Sequence, residues 1–253
     1  MKASNIDAFT LIELLVVIGI IAVLAGIILP VMSSSQATAQ AAKCQANLRQ
    51  IGIGLTLYAN DNNNILSNSA YGSTTLATNN STTYKWMDAI YPYASSEKIF
   101  LCPSDTGAKY RASQNLKSGE TSTDYGSYGL NGAYSAAGDG QTPPRSSALY
   151  QVNRLQLEDP VNTVWVTDTN NRGGNGSFGF TWTNAGANPS LTSTSPRQLD
   201  KIIERHHNGT NVLFCDGHAE LRKLETLTPT HSVTDPVDGA TKNVMYLFSV
   251  ESD

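Results

Sequence analysis

The stretch FTLIELLVVIGIIAVLAGIILP, Phe9 to Pro30, is apolar at almost every position and carries a single carboxylate, Glu13. From Leu14 to Met32 the run holds 19 residues without a charge. A helix of that length, rising about 1.5 Å per residue, nearly crosses a hydrocarbon core of about 30 Å. Leu, Ile, Val and Ala dominate it, which predicts a membrane helix. The acid is the residue to explain, because a bare carboxylate in hydrocarbon costs a few kcal/mol.

Three readings compete. A cleavable secretory signal is favoured by Ala37-Thr38-Ala39, an A-x-A pattern. It is opposed by an apolar run longer than the usual span of about 7–15 residues, and by a leader whose Lys2 is offset by Asp7. A plain signal anchor leaves Glu13 near the interface, its side chain reaching back to water. The third reading explains the acid. If the chain is cut after Ala8, the new terminus Phe9 carries a positive amine four residues before Glu13. Glu13 of one helix then pairs with the Phe9 amine of the next. Such a contact is head to tail and builds an open filament rather than a closed ring.

This stretch closely resembles the class III signal of type IV pilins and type II secretion pseudopilins. In that family a prepilin peptidase cuts just before the Phe and methylates the new amine. The resemblance implies a leader over 1–8, cleavage between Ala8 and Phe9, methylation of Phe9 and an assembly role for Glu13. It departs from the family in one place: Ala8 stands where Gly is usual. Ala22 and Gly26 form a small-xxx-small face that allows close helix approach, a feature also ordinary in membrane helices. Pro30 removes one intrahelical hydrogen bond and is expected to kink or break the helix there. Pilin-like helices often carry a proline at this depth, which implies a part for Pro30 in assembly.

Outward from this run, the segment 33–60 reads as the amphipathic half of the same helix. Ala41, Cys44, Leu48, Ile51, Leu55 and Tyr58 recur at steps of three and four. Gln40, Lys43, Gln45, Asn47, Arg49 and Gln50 are expected on the opposite, solvent side. The apolar stripe should pack on a globular body, with Gly52 and Gly54 permitting close approach of a sheet. The cluster Asn60-Asp61-Asn62-Asn63-Asn64 reads as a polar helix stop.

The remainder, 61–253, is the predicted head. A short helix is expected around Trp86–Ile90, an extended segment over Lys98–Cys102, and strands in Tyr125–Tyr134 and Asn162–Asp168. Loops rich in Gly, Ser and Thr are expected over 66–83, 134–146 and 170–196. Asp216-Gly217 predicts a β-hairpin over 205–223 closed by a two-residue type I′ turn. His206, nine intervening residues, then Asp216 and Gly217 also resemble the H-X9-DG region of many prepilin-type proteins. The fold class read from these elements is α+β, a long N-terminal helix packed on an antiparallel sheet head, as in pilins.

Net charge is −4 over 253 residues. With no basic footprint, nucleic acid is not an expected partner. The three cysteines, Cys44, Cys102 and Cys215, cannot all pair within the chain, and the sequence leaves the pairing open. No HExxH, CxxC pair or paired-carboxylate pattern occurs. His206, His207, Asp216 and His218 are metal-capable, yet the turn accounts for Asp216, and the histidines read first as hydrogen-bond partners of the hairpin. Major pseudopilins hold calcium in a C-terminal loop; here Asp235, Asp238 and Asn243 offer oxygen ligands of the kind Ca²⁺ takes, in turn pairs that also occur without it.

The sequence therefore reads as a structural, non-enzymatic filament subunit of a type IV pilus or a type II secretion pseudopilus. The expected location is the cytoplasmic (inner) membrane, single-pass, with the head periplasmic or extracellular, and then the filament. Expected partners are copies of itself, other pilin-like subunits, the prepilin peptidase and membrane lipid. The competing reading is an anchored or exported binding module or hydrolase using His206, Asp216 and His218.

Overall fold

The structure, a computed structural model, describes residues 11–68, 70–74, 82–94, 96–116, 124–131, 152–169, 177–178, 202–227, 231–234, 241–244 and 247. Two compact units divide between Ala39 and Gln40.

Helix α1, Leu11–Asp61, is 51 residues long and runs through both segments read from the sequence. Pro30 lies inside it and does not end it, contrary to a break at that position. Downstream, the Ser33 hydroxyl donates to the Pro30 carbonyl at 2.9 Å. The helix ends where two consecutive asparagines, Asn63 and Asn64, take positive φ of 54° and 61°. Asn tolerates this left-handed backbone better than most residues.

In the second unit, α1 buries Cys44, Leu48, Ile51 and Leu55 completely. They meet a five-stranded sheet of order β5-β3-β4-β6-β7. Its strands are β3 (Tyr128–Asn131), β4 (Val164–Asp168), β5 (Ser177–Phe178), β6 (Thr210–Phe214) and β7 (Ala219–Arg222). β3, β4, β6 and β7 pair antiparallel, while the two-residue β5 joins the edge parallel to β3. The arrangement is the α+β, pilin-like one. β3, β4 and β6 are buried at every position, so both faces of the sheet centre are covered.

Gly52 marks the closest approach of helix to sheet. A Cβ built there would lie 2.9 Å from Leu213 Cδ1 on β6. Gly54 abuts Ile90 at 3.6 Å, so its neighbour is the short helix α2 (Trp86–Ile90) rather than the sheet.

Four expectations are corrected. Asn47 was expected to face solvent; it is 2 % exposed, and its amide donates to the Leu101 carbonyl at 3.0 Å. Glu97–Phe100 is a 3₁₀ turn rather than extended chain, capped by the Ser96 hydroxyl on Lys98 N. Two predicted loops hold strands: β1 (Ala70–Thr74), which pairs with β2 (Thr82–Lys85), lies within 66–83, and β5 lies within 170–196. The loop 134–146 lies outside the described residues.

The fourth correction concerns the hairpin turn. β6 and β7 are antiparallel neighbours, but Phe214 N donates to His218 O and Gly217 N to Phe214 O, both at 2.9 Å. Three residues therefore close the loop, and only Gly217 takes positive φ, at 98°. This is a turn followed by a single left-handed glycine, not a type I′ pair. The backbone with two successive positive φ values lies just upstream, at His207 (47°) and Asn208 (55°), closed by His206 N to Gly209 O at 3.0 Å and Gly209 N to His206 O at 2.7 Å.

β8 (His231–Thr234) and β9 (Thr241–Val244) pair antiparallel. Asp235 and Asp238 of the calcium reading fall outside the described residues, and Asn243 is placed in β9.

Candidate functional site

Two regions carry chemistry: the N-terminal half of α1 and a buried polar centre beneath its C-terminal half.

Ala8 and Phe9 lie outside the described residues. Glu13 lies near the start of the described part of α1. From Leu11 to Met32 every residue is exposed, Leu11 to 78 % and Leu29 to 68 %. Among the described residues this is the one helix long and apolar enough to cross a membrane, and none of its most apolar window is buried.

The buried centre is assembled from five parts of the chain. Cys44 of α1 is disulfide-bonded to Cys102, their Cα atoms 5.2 Å apart. Cys102 N donates to the Ser127 hydroxyl oxygen at 2.9 Å. The tight turn at His207–Asn208 carries His206 inward, so that its Nε2 lies 3.2 Å from Cys102 Sγ and 4.0 Å from Asp168 Oδ2. Asp168, at the end of β4 and wholly buried, receives Asn211 N at 2.8 Å on Oδ2 and Arg205 at 3.1 Å on Oδ1. Arg205 also reaches Asp105 at 3.0 Å and the carbonyls of Ser127 and Thr169. One guanidinium thus joins two carboxylates and two backbone carbonyls, using the planar fork that suits Arg to buried pairing.

Burial governs the charges here. It pushes the Asp168 carboxyl up to about 6, against the pull of Arg205 and of the hydrogen bonds from Asn211. It pushes the His206 imidazole down to about 4, helped by the positive charge of Arg205 and by His207. Tyr128, whose hydroxyl lies 3.4 Å from the Asn47 amide and 3.5 Å from the Cys44 carbonyl, is raised by burial too.

A second buried network has a packing role. Lys85 Nζ donates to the carbonyls of Arg111 and Asp124, each at 3.2 Å, and lies 5.0 Å from the Tyr110 ring centre. Burial lowers its pKa, while Asp88 at 4.0 Å opposes that. Asp88 accepts from the Tyr110 hydroxyl and from Ser113 N, both at 2.9 Å, which fastens α2 to the following loop.

The residues singled out from the sequence are thus parted. His206 belongs to the buried centre. Asp216 and His218 form an exposed pair at 2.6 Å, with the His218 ring stacked on Phe214 at 4.5 Å. His206 is buried against Cys102 and Asp168 instead, so the three residues of the histidine-hairpin reading do not share one environment. Among the described residues, the metal-capable group that converges is Cys44, Cys102 and His206, all buried. Asp168, Arg205 and Asp105 gave no signal in the sequence, because their pairing spans 37 and 100 positions.

Residues 4–29 match the prokaryotic N-terminal methylation motif, the signal of type IV pilins and pseudopilins. The match is confined to the N-terminal end of the chain and supports a pilin-like or pseudopilin subunit at the family level. No curated protein and no solved structure matches the chain.

Proposed function

We propose that this chain is a structural subunit of a type IV pilus-like or type II pseudopilus filament. The observation that carries the reading is the coincidence of the methylation motif, residues 4–29, with a helix whose apolar half buries nothing. A helix apolar on all sides needs lipid or other helices around it. On this reading a prepilin peptidase cuts between Ala8 and Phe9 and methylates the Phe9 amine. Glu13 of one subunit pairs with that amine on the next, which removes the cost of the buried acid and sets the register.

The disulfide supports an exported head, since such bonds persist in oxidising compartments. Before assembly the helix anchors the chain in the cytoplasmic membrane; afterwards it lines the filament core beside copies of itself and other pilin-like subunits. Calcium on Asp235, Asp238 and Asn243 remains part of this reading and is tested by a melting-temperature rise on adding Ca²⁺ to chelator-treated protein.

Mass spectrometry of the native protein tests the processing step: the expected terminus is N-methylated Phe9, and a functional chain still beginning at Met1 would overturn the reading. Glu13→Ala is expected to insert in the membrane and to yield no filaments. Filaments of normal abundance from that variant would remove the charge pairing while leaving the processing step standing.

A further inference from the structure

Cys44, Cys102 and Cys215 lie in one buried cluster, yet only the first two are bonded. Their surroundings differ. His206 Nε2 stands 3.2 Å from Cys102 Sγ, and a carboxylate oxygen of Asp168 stands 4.0 Å from the same nitrogen. The other titratable groups of this centre are Arg205 and His207 beside His206 in the chain, Tyr128 of β3, and Asp105, which is paired with Arg205. Burial and the nearby Asp216 push the Cys215 thiol well up, which keeps it protonated. Cys102, His206 and Asp168 are all held by partners within the head: Cys102 by Ser127, His206 by its turn with Gly209, and Asp168 by Asn211 and Arg205. Cys44 arrives from α1. Before the disulfide closes, a displacement of α1 therefore uncovers Cys102 with its imidazole still in place.

We propose that His206 makes Cys102 the reactive thiol in the closure of this disulfide, so that the chain directs its own pairing to Cys44 and Cys102 and leaves Cys215 reduced. The co-reactant is an aliphatic disulfide, the ordinary oxidant class for protein thiols. Burial and Arg205 hold His206 neutral, which is the form that takes a thiol proton. Cys102 gives its proton to Nε2 and becomes the thiolate, the nucleophilic form. Asp168 offsets the imidazolium charge across the 4.0 Å gap and forms no new bond. The thiolate attacks one sulfur of the oxidant. A mixed disulfide forms on Cys102, the oxidant's own S–S bond breaks, and the first thiol leaves with the proton from His206. The Cys44 sulfur then attacks Cys102 Sγ, and the second thiol leaves with the Cys44 proton. Two electrons pass from the cysteine pair to the oxidant, which becomes two thiols. The 5.2 Å between the Cys44 and Cys102 Cα atoms lies within the range that such a bond spans.

The experiment uses the full-length protein in detergent micelles, reduced and freed of reductant. Alkylation of each cysteine is followed by mass spectrometry from pH 5 to 9, in the folded chain and in urea. Burial alone would move the midpoint pH of Cys102 alkylation above its urea value. The expected midpoint is instead lower than in urea by about one pH unit or more, as for a thiol beside an imidazolium. Cys215 is expected to shift the opposite way. Closure with oxidised glutathione should join Cys44 to Cys102 alone. In His206→Gln the closure rate at pH 6.5 should fall by about tenfold or more and recover as the pH rises.

The alkylation of the unaltered chain does not depend on any variant folding. A Cys102 midpoint equal to or above the urea value would overturn the proposal by itself. A folded His206→Gln chain that closes with unchanged pH dependence would overturn it as well.

Discussion

Helix α1 has two halves of opposite character. Ile18, Ile21 and Leu24 are 56 %, 58 % and 53 % exposed, whereas Leu48, Ile51 and Leu55 are 0 % exposed. The more apolar half contributes nothing to the described core, and the half carrying Gln, Lys and Arg supplies its centre. Hydrophobicity alone therefore does not locate the interior of this fold. The periodic half finds its partner within the chain, where a stripe every three or four residues meets β6 and α2. The uniformly apolar half presents no single face, and its partner must surround it. The disulfide falls on the first of these halves, as do the Asn47 amide and the contacts of Gln45 and Arg49 with the Ala219 carbonyl at 2.7 Å and 3.4 Å.

The largest effect expected from breaking this contrast comes from Cys44→Ala with Cys102→Ala. The bond spans 58 positions, and the chain-entropy account assigns closure of such a loop about 4 kcal/mol. In metal-free buffer the double variant should lose about that much unfolding free energy, read from the fluorescence of the buried Trp86 and Trp165 in urea. A loss under about 1 kcal/mol would show that packing alone holds the helix to the head.

The contrast sharpens with one chemical change made in both halves. Ile51→Ala removes a side chain at 0 % exposure and should cost the head about 3 kcal/mol, through lost transfer energy and the cavity left behind. Ile21→Ala acts at 58 % exposure and should leave the same unfolding curve unchanged within about 0.5 kcal/mol, while lowering the fraction of protein retained in membranes. Equal losses at the two positions would mean that the apolar half packs on its own head, and would remove the distinction between them.

What the sequence made legible follows the same division. The α1 stripe could be read because periodicity is local, and the hairpin because Asp216-Gly217 is a local turn cue. The cue could not give the loop length: Gly217 alone takes the left-handed backbone, and the two-residue turn sits at His207–Asn208 instead. Asn47 was misplaced because its burial depends on a carbonyl 54 positions away. Buried Lys85 was likewise hidden, being satisfied by carbonyls 26 and 39 positions on. Nothing in the spacing of three cysteines indicates which two meet. The N-terminal signal was legible because its chemistry is written in consecutive residues, whereas the buried centre draws on five separated segments.

The smallest effect tests the centre beneath the buried half, in the disulfide-closed, metal-free chain. His206 is held neutral down to about 4, whereas an unfolded imidazole protonates near 6.5. Its contribution to stability is full above 6.5 and is lost as pH falls from 6.5 to about 4. Asp168 runs the other way. Its folded carboxyl keeps a proton below about 6, the unfolded one only below 3.8, so its contribution is present below 3.8 and is lost as pH rises to about 6. Between about 4 and 6 the two slopes oppose each other. The intact pair should leave stability nearly flat over that window. His206→Ala removes one slope, so the variant should gain on the unaltered chain as the pH falls from 6 to 4. Urea unfolding at pH 4, 5, 6 and 7 measures the difference. A difference that does not change with pH would mean that the imidazole fills space beside the disulfide without any part in the charge balance of Asp168 and Arg205.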